Sequence, residues 1–153
     1  MIAVVQRVKN SYVEIDGKKV SQIQIGLNVL LCVTQNDSIE DISYLADKIV
    51  RLRIFSDDND KMNLSVQDVK GEMLVISQFT LAADTKRGNR PSFSNAADAD
   101  IARNYYGLFV DYIRDKYKMI VKTGEFAANM IVNIVNDGPV TIIIDSHENR
   151  KKV

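Results

Sequence analysis

The segment Ser77-Gln78-Phe79-Thr80 places two hydroxyls and an amide at the end of an apolar run, just ahead of a long polar stretch. Groups at such a position can hold a substrate and donate hydrogen bonds to a developing oxyanion. The same hydroxyls could equally satisfy nearby backbone at a strand edge. Neither Ser77 nor Thr80 reads as a nucleophile, because a hydroxyl needs an adjacent base to activate it. The single histidine, His147, falls in the charged run Ser146-His147-Glu148-Asn149-Arg150-Lys151-Lys152. Such a run is expected to be mobile and solvent-facing, which leaves no histidine for a triad. The single cysteine, Cys32, excludes an internal disulfide, a Cys-x-x-Cys redox pair and multi-cysteine zinc sites. Acid–base chemistry must then come from carboxylates, backbone groups or the substrate.

Three further places could carry function. Gly138-Pro139 falls between two apolar runs, where the peptide bond can be cis at modest cost and glycine allows close approach. A plain hairpin turn is the competing reading. Lys86-Arg87-Gly88-Asn89-Arg90 packs three cations into five residues, suited to phosphate or to a solvated loop, and Phe93 beside it could stack a base or anchor the loop. Arg7 stands in an apolar strand, so it either reaches solvent or has fixed acceptors. Phe126 and Met130 read as core on pattern alone. The acidic turn Asp57-Asp58-Asn59-Asp60-Lys61 lacks the glycine and distal Glu of a calcium loop.

The elements that must position these residues are mostly legible. Residues 1–8 read as a strand. Tyr12 to Ile15 and Val20 to Ile25 form a hairpin about Asp16-Gly17, where a type I′ turn demands positive φ. Leu27 to Val33 is apolar on both faces and reads as a central strand. Ser38 and Asp41 resemble a capping box, and Ile39, Ile42, Leu45, Ala46, Ile49 and Val50 recur at helical spacing to about residue 52. A short strand at 53–55 is followed by an apolar strand from Glu72 to Leu81. After the loop at 82–94 comes a helix from about Asn95 to Tyr117, with Ile101, Tyr105, Leu108, Phe109, Tyr112 and Ile113 on one stripe. Strands at 119–122, 126–135 and 140–144 follow, the last two separated by a turn at Asn136 to Pro139. The expectation is an α/β fold: a single domain with a mixed, largely antiparallel, barrel-like sheet flanked by two main helices.

The composition agrees. A chain of 153 residues is one domain's length, 46% hydrophobic and 26% charged, as in soluble globular proteins. Lys plus Arg and Asp plus Glu number 20 each, so no overall field holds it to DNA or membrane. No stretch approaches a membrane span and no signal peptide is visible, so a cytoplasmic location is expected. Residues 1–145 are expected to form the domain and 146–153 a charged, flexible tail.

Taken together, six segments resemble the D-aminoacyl-tRNA deacylases of the bacterial and eukaryotic type. They are Arg53-Ile54-Phe55-Ser56-Asp57, Lys61-Met62-Asn63-Leu64, Ser77 to Asp84, Arg90-Pro91-Ser92-Phe93, Thr123-Gly124-Glu125-Phe126-Ala127 and Asn136-Asp137-Gly138-Pro139-Val140-Thr141. The resemblance runs over nearly the whole chain. It implies a homodimeric proofreading hydrolase that frees tRNA from D-amino acids, and from glycine, at the acceptor end, with no membrane, metal or cofactor. It implies that Ser77, Gln78, Phe79 and Thr80 line the site. The cis Gly138-Pro139 of the neighbouring subunit would enter that site and reject L-amino acids. Arg7 would brace the Gly-Pro loop, and Phe126 and Met130 would lie near the terminal adenosine. The 2′-hydroxyl of that ribose would assist attack on the ester, with the Phe79 and Thr80 amides facing the oxyanion. An alternative is a non-catalytic nucleic-acid-binding dimer using the same pocket, and another is a purely structural dimer.

Overall fold

The computed structural model describes residues 1–150. The chain opens with one long strand, β1 (Ile2–Ile15). It turns at Asp16 (φ 50°) and Gly17 (φ 73°), both left-handed as a type I′ turn requires, into β2 (Lys18–Ile23). β3 (Gly26–Cys32) follows. Helix α1 (Ile39–Val50) starts at the expected capping box: the Ser38 N–H donates to Asp41 Oδ2 at 2.9 Å. A small ladder, β4 (Phe55–Ser56) with β5 (Met62–Leu64), lies apart from the main sheet. Next come β6 (Glu72–Ser77), helix α2 (Ala99–Tyr117), β7 (Val121–Thr123), β8 (Ile131–Asp145) and a terminal helical turn, α3 (Ser146–Arg150).

The main sheet has six strands and is mixed and nearly closed. Its order is β2-β1-β3-β6-β7, and β8 also pairs with β1. β1 is antiparallel to β2, β3 and β8, while β3–β6 and β6–β7 are parallel. The two-faced apolarity of β3 has a direct cause. Leu27, Val29 and Leu31 meet α1 and α2 through Leu45, Ile49, Phe109 and Ile113. Leu30 turns to the other face, into a second core of Val8, Val13, Ile23, Leu74 and Ile76. Fully burying side chains of this size contributes roughly 1.5–3 kcal/mol each.

Several boundaries differ from the sequence reading. β6 ends at Ser77 rather than Leu81, because Phe79–Ala82 form a 3₁₀ turn. α2 begins at Ala99, not Asn95, and its buried stripe is Ala102, Tyr106, Phe109, Val110 and Ile113. Ile101 and Leu108 are exposed. The stripe is rotated because Tyr106 enters the core and satisfies its hydroxyl on the Val75 carbonyl at 2.7 Å. Residues 126–130 are a turn, not the start of a strand.

Asn136 to Pro139 does not join two hairpin strands. Both flanks belong to β8 and pair with the same strand, β1. Between the pairs Gln6–Thr141 and Val8–Asn136, β1 advances two residues and β8 five. The surplus leaves the sheet as a bulge containing the cis Gly138–Pro139 peptide.

From residue 146 the chain continues as the helical turn α3. Ser146 is buried, and His147 Nε2 lies 2.8 Å from Asp37 Oδ1. Residues 151–153 of the expected tail lie outside the described residues.

Candidate functional site

Strand β6 delivers Ser77 to the sheet's edge, and the Gln78 N–H donates to the Leu31 carbonyl at 2.8 Å, tying the strand end to β3. The chain then tightens into the 3₁₀ turn, whose first repeating bond is Leu81 N–H to Gln78 O at 3.2 Å. The N–H groups of Phe79 and Thr80, at the start of that turn, fall outside its repeating pattern. The Gln78 side-chain amide donates to Thr80 Oγ1 at 2.6 Å. Phe79 is 55% exposed, its ring edge-on to Phe93 with centroids 5.2 Å apart.

Ser77, Gln78 and Phe79 form one wall of an apolar cavity of about 530 Å³. The opposite wall is the turn after β7, with Phe126, Ala127 and Met130. Phe126 leans on Tyr106, ring centroids 5.9 Å apart. Ala127 holds a left-handed φ of 65°, a conformation a non-glycine residue adopts at a cost. The cavity lies just beyond the C-terminal end of a strand in a parallel pair, where open α/β sheets place ligands.

The remaining wall was not legible as site. It is made by Ala96, Ala97, Ala99 and Ala102. The alanines at 96, 97, 99 and 102 and the pair Ala127-Ala128 were the available signal, since only small side chains leave such a space open.

Other expected site residues lie elsewhere in the chain. Thr80 is exposed and does not line the cavity, although it holds Gln78. Arg7, Gly138 and Pro139 are likewise absent from its walls and cluster with one another. Arg7 donates from Nε to the Asp137 carbonyl at 3.1 Å and from Nη1 to the Ile54 carbonyl at 2.7 Å. The buried stretch of β1 thus has fixed acceptors for its cation. Gly138 and Pro139 are exposed, and the Asn136 side chain accepts the Val140 N–H at 3.2 Å across the bulge. The loop from Lys86 to Arg90 is exposed.

Among the described residues, none that lines the cavity is a histidine, cysteine, lysine or carboxylate. Cys32 is buried, and desolvation pushes its thiol up to about 11, so it stays protonated near neutral pH. Among the described residues, Asp37, Asp41 and His147 have metal-ligand spacing. Their shared oxygen, Asp37 Oδ1, already accepts from the Met1 ammonium and faces His147. Asp41 is engaged by Ser38. No helix among the described residues is long and apolar enough to cross a membrane.

Fold and site together define a small barrel-like α/β domain with an apolar cavity at a strand end. The family model described as D-Tyr-tRNA(Tyr) deacylase matches residues 4–145, and the chain belongs to that family of hydrolases. It is 55% identical to a D-aminoacyl-tRNA deacylase of Thermosipho africanus, covering 95% of this chain and 97% of that protein. To the D-aminoacyl-tRNA deacylase of Persephonella marina it is 59% identical, covering 95% and 98%. Among solved structures, a c-Myc DNA unwinding element binding protein superposes with a TM-score of 0.91 at 39% identity, covering 95% of this chain and 98% of that one. A probable eukaryotic D-amino acid tRNA deacylase superposes at 0.77 with 16% identity over 94% of this chain and 97% of that one, a likeness of fold alone.

Proposed function

We propose that this protein hydrolyses the ester joining a D-amino acid, or glycine, to the 3′ end of tRNA. The observation that carries the reading is convergence. Residues of two segments that resemble the family, Ser77 to Phe79 and Phe126-Ala127, come from distant parts of the chain and wall one cavity together with Met130. The terminal adenosine enters between Phe126 and Met130, and the ester lies against Ser77 to Thr80. Water attacks the ester carbonyl with help from the ribose 2′-hydroxyl. The amides of Phe79 and Thr80 donate to the oxyanion that forms, and their freedom from the turn's own bonds supports that role. Position and backbone donors then supply the rate, and the reaction so written calls for no cofactor or metal.

Chirality is read by Gly138 and Pro139 of a second copy. Their carbonyls hold the substrate amino group and leave no room for an L side chain. The support is the exposed bulge, held by Arg7 and lying off the cavity of its own chain. A homodimer would bring the bulge of one copy to the cavity of the other. Strand β8 pairs only with β1 among the described residues, and it exposes Ile131, Val135 and Ile143. The Lys86 to Arg90 loop gives this neutral chain a local positive field for the acceptor end. The substrate places the enzyme in the cytoplasm.

The test is hydrolysis of matched D-tyrosyl-tRNA and L-tyrosyl-tRNA with EDTA present, alongside the mass in solution. Loss of the D ester alone by a dimer is expected. Equal loss of both overturns the gate, and a monomer with full selectivity overturns its cross-subunit form. Binding without hydrolysis favours a non-catalytic nucleic-acid-binding dimer. That second reading draws on the name of the DNA unwinding element binding protein that this fold superposes on.

A further inference from the structure

Arg103 lies on α2, one residue beyond Ala102, and Ala99 and Ala102 both line the cavity. Its guanidinium sits 4.6 Å from the centroid of the Phe126 ring, which lines the same cavity. The side chain is exposed, and among the described residues this ring is its only partner. Asp98, the N-cap of α2, and Asp100 in its first turn form no ion pair with it within that set. A cation is therefore held at a fixed place beside an apolar, ring-lined cavity, with its donors uncommitted. Aromatic stacking restrains the guanidinium without using its N–H groups, and a planar fork with free donors matches a phosphate oxygen pair.

We infer that Arg103 binds the phosphodiester that leads into the nucleoside held against Phe126. This rests on the deacylase reading and adds a ligand group to it: the phosphate behind the terminal nucleoside, contacted from α2. The chemistry of the cavity favours it. An aromatic wall takes a base, and a nucleic-acid base never arrives without its backbone charge. The chain has no net charge to supply attraction at a distance, so affinity for the acceptor end must come from individually placed cations. The Lys86 to Arg90 loop offers cations on exposed chain outside any helix or strand, whereas Arg103 is restrained by a helix and a ring.

The test compares the wild type with Arg103→Met, which keeps an unbranched stem over Phe126 but no charge, and with Arg103→Lys. Each is assayed on D-tyrosyl-tRNA and on D-tyrosyl-adenosine, which has no phosphodiester. For Arg103→Met, KM on the tRNA substrate is expected to rise about tenfold at low salt, with kcat little changed. The slope of log kcat/KM against log salt becomes shallower by about 0.7, the value of one single-strand phosphate contact. Arg103→Lys recovers part of the affinity, and the loss is confined to the substrate that carries the phosphate. Equal losses on both substrates overturn the proposal, since Arg103 would then only support Phe126. An unchanged salt slope overturns it too. If the wild type hydrolyses neither substrate, it is the deacylase reading that fails. The phosphate contact is then decided by uncharged-tRNA affinity: the same weakening and slope change support it, and equal affinity overturns it.

Discussion

Arg7, in the first strand, donates from Nε to the backbone carbonyl of Asp137 at 3.1 Å across 130 positions of chain. The same guanidinium reaches the Ile54 carbonyl at 2.7 Å through Nη1. One side chain thus fastens the Gly-Pro bulge to the body of the domain. A lysine has the charge but not the fork, and it cannot serve both carbonyls in this geometry. Arg7→Lys is expected to leave one carbonyl unmet, at a cost of about 1–3 kcal/mol. Deacylation should fall about tenfold or more, with a lowered Tm. Steady-state kinetics on D-tyrosyl-tRNA and a thermal melt check both.

Gly138 holds φ at +128°, outside the range L side chains favour. An added Cβ would lie 2.8 Å from Val140 Cγ2 and 3.0 Å from Arg7 Nη2. Gly138→Ala must therefore move the bulge or Arg7. The bulge is exposed, so the stability loss should stay within about 1–3 kcal/mol. The proposed selectivity has no such slack, and the ratio of D to L hydrolysis should collapse. A variant with wild-type selectivity and Tm would show that the bulge has no part in recognition.

Gly124 supports the cavity from behind. A Cβ there would come within 2.4 Å of Met130 Sδ and 3.4 Å of Ile76 Cδ1. Methionine is flexible and can yield, but it yields into the cavity it lines. Gly124→Ala is expected to raise KM for D-tyrosyl-tRNA about tenfold, while Tm drops by only a few degrees. A large Tm loss with unchanged KM would place Gly124 in the core rather than the site.

Asp37 joins the first residue to the start of α3. Its buried carboxylate accepts from the Met1 ammonium, from Thr34 N–H at 2.6 Å and from Thr34 Oγ1 at 2.8 Å, with His147 Nε2 at 2.8 Å. Removing it leaves a buried ammonium with Ser146 Oγ as its remaining partner among the described residues. Asp37→Ala should cost about 3–5 kcal/mol, read as a lower urea midpoint at unchanged m.

Asp47 links α1 to the end of α2. Partial burial would raise its pKa, but hydrogen bonds from Lys116, Tyr117 and Tyr112 outweigh that and hold it below the usual carboxylate value. The folded value is depressed. Its stabilisation is therefore complete above the unfolded value near 4 and is lost as pH falls through the folded one. The site is largely solvated, so Asp47→Asn should cost only about 1 kcal/mol at pH 7. The difference from wild type should shrink toward zero well below pH 4. Urea unfolding at pH 7 and pH 3 measures it.

Local chemistry was legible without the structure. Asp16-Gly17 demanded left-handed backbone, and Ser38 with Asp41 capped a helix, because each depends on neighbours a few residues away. The strand at Leu27 to Val33 announced two apolar neighbours by being apolar on both faces. The six segments named the family from residue order alone.

What the chain could not declare locally was settled by distant partners. Asn136 to Pro139 looked like a turn between strands, and it became a bulge within β8 because both flanks found the same neighbour, β1. The buried stripe of α2 rotated because Tyr106 had the Val75 carbonyl to reach. His147 left the expected tail for Asp37, 110 positions away. The alanine wall of the cavity existed only once α2 and the Phe126 turn faced each other. Residue type and spacing carry interactions within a turn or two of chain, whereas register, burial and cavities depend on surfaces that meet only when the chain has folded.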